Sequence, residues 1–353
     1  MRILVYEYAS GGGLAGRQTP ASLAREGAAM RAALAADLVA IGAHRIVTTA
    51  DARTRHGVPR GVEVAALPSG NRARAAALDA LIDEVDAVWL IAPETGRCLE
   101  RLAARVERRR KILLGSSSET IRHASDKARL PSLLSDAGVR CPSTYALGRR
   151  ANPAAAARRI DYPIVVKPAR GAGSDGSGLA RTARELQPAV DRARAAARGG
   201  RVVLQPYVQG SAASVSLLAN GADAVALAVN EQTLADSPPF AYRGGTTPFD
   251  HPRAAEAIAA ATAACRAVPG LRGFVGVDVI LTDADAVAIE INPRLTTAYL
   301  GVRAALDENV AALAIAACAG VLPAPVPRAR RRVRFSAAGR VSELEPARER
   351  GAA

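Results

Sequence analysis

The chain has 353 residues, of which 49% are hydrophobic and 23% charged, with a formal net charge of +14. That balance excludes disorder over most of the chain, and the length points to two or three folding units. Aromatic residues make up only 3%, so the cores must use Ala, Leu, Val and Ile, and a base-stacking single-strand binder is disfavoured.

An apolar run at residues 3–6 stops at Gly11-Gly12-Gly13, as a parallel strand does before a helix. Thr19 reads as a cap and Pro20 as the first residue of an Ala-rich helix reaching about Gly42. Strand signals follow at residues 46–48 and 62–64, then a helix over about 71–85 and a buried strand over 87–91. A helix over about 95–110 and a strand at 112–114 complete the series. Strand–helix alternation over about 115 residues predicts a doubly wound parallel sheet.

Short helices within residues 117–137 lead to a smaller unit. It has a strand at 164–167, a glycine loop, a helix near 183–197 and a strand at 202–204. Residues 214–218 and 224–229 predict a hairpin turning at Asn220-Gly221, a pair suited to a type I′ turn. A helix near 253–268 precedes a second hairpin, and the last helix ends near Gly320. The uncharged stretch 310–327 is Ala-rich and ends in prolines, which predicts a buried helix and a loop, not a membrane span. Beyond about Pro323 the chain is rich in Pro and Arg and is expected to be poorly ordered.

All but three of the 47 basic residues are arginine; the lysines are Lys111, Lys127 and Lys167. Either they are random survivors of a compositional bias, or they mark places where a compact ammonium is needed and a planar fork would not fit. The four cysteines are widely spaced, without a C-x-x-C pair, so reduced thiols, no zinc site and a cytoplasmic location are expected. The N-terminus opens as a strand with Glu7 close behind, unlike a signal peptide.

Gly11-Gly12-Gly13 lacks the acidic residue that a dinucleotide site needs at the end of the second strand, so a tight turn is expected. A second loop, residues 167–178, comes directly off a hydrophobic strand and holds Lys167, Gly171, Gly173, Ser174 and Gly176. Its glycines let backbone N–H groups approach phosphate oxygens, and the lysine adds a point charge. No Gly-Lys-Ser/Thr follows, so it is not a Walker A loop.

The most specific feature is a pair of alternating strands, residues 277–281 and 288–292. In a simple hairpin centred on Ala284, Asp278 sits opposite Glu290 with Asn292 on the same face, while Val277, Val279, Ile289 and Ile291 point to the other. Two adjacent carboxylates repel unless something neutralises them. The all-oxygen set of Asp, Glu and Asn suits Mg²⁺ with bound phosphates. Arg294 falls on the same side if the strand continues past Pro293. The bland alternative is a solvated polar face on an edge hairpin.

A glycine loop with a lysine, followed roughly a hundred residues later by an acidic hairpin with Asn and Arg, resembles the ATP-grasp superfamily. The resemblance runs to about residue 320. It implies an α/β chain: a Rossmann-like pre-ATP-grasp domain (1–118), a two-subdomain α+β ATP-grasp fold (119–322, with a lid at about 141–207) and a basic C-terminal tail (323–353). It implies ATP and Mg²⁺ (or Mn²⁺). Lys127 and Lys167 then hold phosphates together with Gly171, Gly173, Ser174 and Gly176. Gln205, Tyr207, Val208 and Gln209 resemble the adenine hinge. Asp278, Glu290 and Asn292 match metal ligands. Arg294 matches an arginine near the transferred phosphoryl group, which makes Arg294 and Lys167 the expected catalytic residues. Many members have a ribose-holding glutamate where Ala212 stands; Gln209 is the expected substitute. The implied chemistry is an acyl phosphate captured by an amine, with release of ADP and phosphate.

Residues 2–12 and 92–96 are similar to the branch containing tyramine–glutamate ligase of methanofuran synthesis and its bacterial relatives for methylofuran-type cofactors. On that resemblance Glu94, Thr95, Tyr242, Arg243, Gly244 and Thr296 face substrate, with Arg303 nearby. The expected partners are a small-molecule acid and amine, glutamate with tyramine or tyrosine, and neither nucleic acid nor membrane; a homodimer is allowed. Two other readings compete: an ATP-grasp ligase for other amino acids or a dipeptide, and a basic nucleic-acid binder drawn from the arginine run at 328–334. Trimming residues 323–353 is expected to leave a ligase active.

Overall fold

Five short, largely apolar strands form the first sheet in a computed structural model that describes residues 1–15, 20–51, 57–68, 70–173, 175–235 and 241–344. They are β1 (Arg2–Glu7), β2 (Arg45–Thr49), β3 (Val62–Ala65), β4 (Ala87–Ile91) and β5 (Ile112–Leu113), parallel in the order β3-β2-β1-β4-β5. Both faces are covered, so successive residues are buried in alternate directions. Ile3, Val5 and Trp89 meet Leu34 and Leu38 of α1 (Ala21–Ala40). Leu4, Val47 and Val88 meet Leu78 of α2 (Asn71–Glu84) and Val106 of α3 (Cys98–Arg108). Pro20 stands just before α1, not inside it, and Thr19 lies outside the described residues.

The single helix predicted over 95–110 is split. Thr95–Arg97 forms a separate 3₁₀ turn in which Gly96 and Arg97 both have positive φ, and α3 starts at Cys98. Arg97 is held in this conformation by Glu100, with Nε donating to Oε2 at 2.8 Å.

Two short helices, α4 (Ser118–Ala124) and α5 (Leu130–Asp136), lead to an antiparallel sheet. It contains β6 (Tyr145–Leu147), β7 (Ile164–Pro168), β8 (Gly178–Ala180) and β9 (Val202–Pro206) in the order β6-β9-β7-β8. α6 (Pro153–Ala157) and α7 (Ala183–Ala196) pack with it, α7 through Leu186, Val190 and Ala193. β6, α6 and β8 have three to five residues each, too few for a periodicity to appear in the sequence.

The third sheet has seven antiparallel strands. They are β10 (Ser211–Asn220), β11 (Ala224–Leu234), β12 (Tyr242–Thr247), β13 (Arg272–Leu281), β14 (Ala286–Asn292), β15 (Arg332–Ser336) and β16 (Val341–Leu344), in the order β14-β13-β10-β11-β12-β15-β16. α8 (Ala254–Arg266) packs Ala257, Ala261 and Ala264 on Val215 and Val277. α9 (Tyr299–Ala305) and α10 (Val310–Cys318) share one core with Leu218, Phe274 and the first sheet's Ile3 and Trp89, which joins the two halves of the molecule. No helix among the described residues is long and apolar enough to cross a membrane.

The β10–β11 turn is offset by one residue from the sequence expectation. Asn220 donates its N–H to the Asp223 carbonyl, and its side chain accepts from Ala222 and Asp223. The central pair is therefore Gly221-Ala222, with Gly221 at φ +101° supplying the left-handed position.

The expectation of poor order beyond Pro323 fails as far as Leu344. β15 pairs with β12, and β16 with β15. Val333 and Phe335 are buried while Arg334 is exposed, a period of two hidden inside the arginine run. Phe335 is 2% exposed and packs with Ala298 and Leu300; a Cβ on Gly301 would lie 2.5 Å from its ring. Phe335→Ala is expected to cost about 3–5 kcal/mol, read as a lower thermal unfolding midpoint. An unchanged midpoint would mean that β15 does not stabilise the sheet. Trimming 323–353 removes both strands, so it is expected to be destabilising, not neutral.

Candidate active site

Asp278 and Glu290 face each other on β13 and β14, with Asn292 opposite Gly276. The pairing is the one expected, reached by a different geometry. The turn runs from Thr282 to Asp285, and Leu281 pairs with Ala286. A bulge then adds a residue on β14 and brings Glu290 level with Asp278. It also exchanges faces: Ala288, not Ile289, joins Val277, Val279 and Ile291 in the core, and Ile289 is partly exposed.

Gln232 of β11 donates to Asp278 Oδ1 at 2.9 Å, and the Asn292 amide donates to Oδ2 at 3.2 Å. Burial and then the charge of Glu290 push the Asp278 carboxyl well above the usual carboxylate range. Burial acts on Glu290 in the same direction, but Lys127 and Lys167 outweigh it and bring Glu290 down. Lys127 Nζ lies 3.1 Å from Glu290 Oε2. Burial lowers the pKa of Lys167, against the pull of Glu290.

Lys127, between α4 and α5, also donates through Nζ to the Gly171 carbonyl at 2.8 Å and through its backbone to Ala169 at 2.9 Å. It thus ties the glycine loop to the acidic hairpin. Gly173 and Gly176 have positive φ, and a Cβ on Gly176 would lie 2.3 Å from Ala196 of α7. Ser174 lies outside the described residues. Arg170, which carried no signal in the sequence, bridges Glu100 at 3.2 Å and Asp126 at 3.1 Å. Ala172 donates its N–H to Thr95 Oγ1 at 3.1 Å.

The segment expected to be a hinge links β9 to β10. Gln205 is buried and donates its side-chain amide to Thr144 Oγ1 at 2.8 Å. Tyr207 is 43% exposed, and its N–H is taken by the Pro163 carbonyl. Val208 is partly buried and Gln209 exposed. Gly210 closes the segment at φ +154°, where a Cβ would lie 2.3 Å from the Leu281 carbonyl oxygen.

Arg294, just past β14, meets Glu94, just past β4: Nε to Oε1 at 2.7 Å and Nη2 to Oε2 at 3.1 Å. Thr296 lies against Gly276, and Thr297 donates to Glu26 of α1. Burial raises the Tyr242 phenol, with Asp278 and Glu26 adding to the effect, so Tyr242 shares the field of the acidic hairpin. One sequence expectation is corrected here. Arg303 is committed to Asp37, with Nε to Oδ2 at 2.8 Å and Nη2 to Oδ1 at 2.6 Å, and ties α9 to α1. Gly244 is required by packing, since a Cβ there would lie 2.1 Å from the Phe335 carbonyl oxygen. Arg243 is exposed, at the point where the β11–β12 register shifts.

The donor set fits a hard divalent cation: two carboxylates and an amide oxygen. The Asn292 amide would have to turn over to offer its oxygen, because its N–H₂ faces Asp278. Among the described residues no group of three or more His, Cys, Asp and Glu side chains could hold a metal. A cation here therefore depends on Asp278, Glu290 and Asn292 together with oxygens of its ligand. Gln232 and Glu26 escaped the sequence reading because neither the β10–β11 register nor the docking of α1 is written locally.

A family model of the ATP-grasp domain matches residues 124–298, and one of the pre ATP-grasp 3 domain matches residues 44–121. Tyramine–L-glutamate ligase from Methanocaldococcus fervens is 36% identical over 101 residues, which is 29% of this chain and 33% of that ligase. The match thus spans about a third of the relative's length. The crystal structure of an ATP-grasp superfamily protein from Archaeoglobus fulgidus is similar with a TM-score of 0.69 and 26% identity, covering 95% of this chain and 92% of that one. L-amino acid ligase from Bacillus licheniformis shares the fold, with a TM-score of 0.70 and 15% identity over 94% of this chain and 78% of that one. With both domain models matched in order along most of its length, and a glycine loop and acidic hairpin joined by one lysine, the chain belongs to the ATP-grasp superfamily.

Proposed function

We propose that the chain is an ATP-dependent carboxylate–amine ligase that forms an amide through an acyl phosphate and releases ADP and phosphate. The observation that carries this reading is that Lys127 joins Glu290 to the glycine loop, with Lys167 close enough for its charge to act on Glu290. In it, residues 1–118 form the pre-ATP-grasp domain and 119–322 the ATP-grasp domain, whose sheet β15 and β16 extend. The enzyme works in the cytoplasm.

Lys127, Lys167 and the loop N–H groups hold the triphosphate, with Gln205, Tyr207, Val208 and Gln209 around the base. Asp278, Glu290 and Asn292 would hold Mg²⁺ (or Mn²⁺), which when bound offsets phosphate charge. Arg294 points its remaining N–H groups at the transferred phosphoryl group. The acid's carboxylate oxygen attacks the γ-phosphorus and the bond to the ADP oxygen breaks. The amine nitrogen then attacks the acyl carbon, the C–O bond to phosphate breaks, and the nitrogen gives up a proton. The fixed cations stabilise oxygens that gather charge in both steps.

The best substrate pair is glutamate with tyramine or tyrosine, a reading supported by the partial match to tyramine–L-glutamate ligase. A ligase for other amino acids is the second reading, favoured by the shared fold with L-amino acid ligase. A coupled assay for ADP with Mg-ATP, glutamate and a panel of amines separates them. ADP release that requires glutamate and tyramine or tyrosine is the expected result. ADP release with other amino acids and no response to glutamate selects the second reading. AMP release contradicts the acyl-phosphate route.

A further inference from the structure

We propose that the two-residue segment Glu94–Thr95 is a positioning element through which the first domain sets both Arg294 and the glycine loop. The inference rests on the ligase reading for its kinetic consequences but not for its structural ones.

A guanidinium has five N–H donors. Arg294 uses two on the carboxylate of Glu94 and one, from Nη1 at 3.2 Å, on the Leu295 carbonyl. Two donors on the terminal nitrogens remain for a phosphoryl or carboxylate oxygen. Glu94 therefore fixes the plane of the fork without filling its working edge. The Glu94 side chain is 3% exposed. Both its oxygens are engaged by Arg294, so it is buried behind the arginine and does not face substrate directly. A buried ion pair is a poor source of stability, because desolvation offsets the attraction. This one joins residues 200 positions apart, in the loops that follow β4 of the first sheet and β14 of the third.

The next residue makes the second link. Thr95 Oγ1 accepts the N–H of Ala172 in the glycine loop. Gly96 and Arg97 then take left-handed conformations and turn the chain into α3. Arg97 pairs with Glu100, and Glu100 with Arg170 of the same loop. A shift of this turn is thus transmitted to the phosphate loop and to Arg294 together.

Three variants test this. Glu94→Gln keeps the shape but turns an N–H₂ toward the arginine. It is expected to lower kcat for ADP formation by about 10²-fold, the usual cost of misplacing a reacting group, with KM values for acid and amine nearly unchanged. Glu94→Asp should recover part of that loss. Thr95→Val removes only the acceptor and should raise KM for ATP. Hydrogen exchange on the nucleotide-free protein reads the coupling without turnover: amides 169–173 should exchange faster in Thr95→Val, and amides 294–297 faster in Glu94→Gln. Unchanged exchange in both variants overturns the proposal. A Glu94→Gln enzyme with normal kcat and a raised KM for one substrate also overturns it, by making Glu94 a substrate contact. If the wild type shows no ATP turnover, the ligase reading fails while exchange still decides the coupling.

Discussion

Lys167→Ala is expected to lower ATP turnover by about 10²–10³-fold, the usual effect of removing one group aimed at developing charge, while the thermal unfolding midpoint stays level or rises. The two lysines at the site differ in what they do without a ligand. Lys127 is engaged by Gly171 and Glu290. The Lys167 ammonium has no hydrogen bond and no ion-pair partner within 4 Å among the described residues, and burial lowers its pKa. An ammonium in that position costs folding free energy and interacts only at longer range with Glu290. Removing it relieves that cost while withdrawing one of the two charges that favour ionised Glu290, so stability should hold while activity falls. For Lys127→Ala both should fall. Full activity in Lys167→Ala would remove Lys167 from the phosphate site.

Glu290→Gln is expected to raise the Mg²⁺ concentration needed for half-maximal ADP formation by an order of magnitude or more, and to lower kcat with it. Three things change at once. The donor pair loses one negative charge. Lys127 loses its ion pair at 3.1 Å. Asp278 loses the neighbouring charge that helps to raise its pKa, so it ionises more readily. The last effect works against the first, which makes Asp278→Asn in the same background the informative partner: in the double variant Mg²⁺ should no longer support ADP formation at any concentration tested. A normal magnesium titration in Glu290→Gln would show that the hairpin is not the metal site.

The order of strands and helices in the first 115 residues was readable because buried parallel strands are short apolar runs separated by turn residues. The acidic hairpin was readable because two carboxylates and an amide at a period of two share one face, and a half-buried acidic face is costly without a cation. Its register was reached only because the bulge compensates for a turn centred half a residue away from Ala284. What escaped depends on long-range packing. Phe335 sits in an arginine run that reads as solvated, yet it fills the space that Gly245 and Gly301 leave open. Arg303 looked available to an acidic substrate until α1 brought Asp37 beneath it. The helix predicted over 95–110 ignored the demand that Glu94 and Thr95 reach the segment after β14 and the glycine loop. Nothing local in residues 94–97 encodes that demand except Gly96, whose positive φ lets the chain turn.

The most direct test is the anomalous difference map of crystals grown with Mn²⁺ and a non-hydrolysable ATP analogue. One metal peak is expected among Asp278, Glu290 and Asn292, with phosphate oxygens between it and the ammonium groups of Lys127 and Lys167. A nucleotide bound in the cleft with its metal held elsewhere, or with its phosphates away from both lysines, would contradict it.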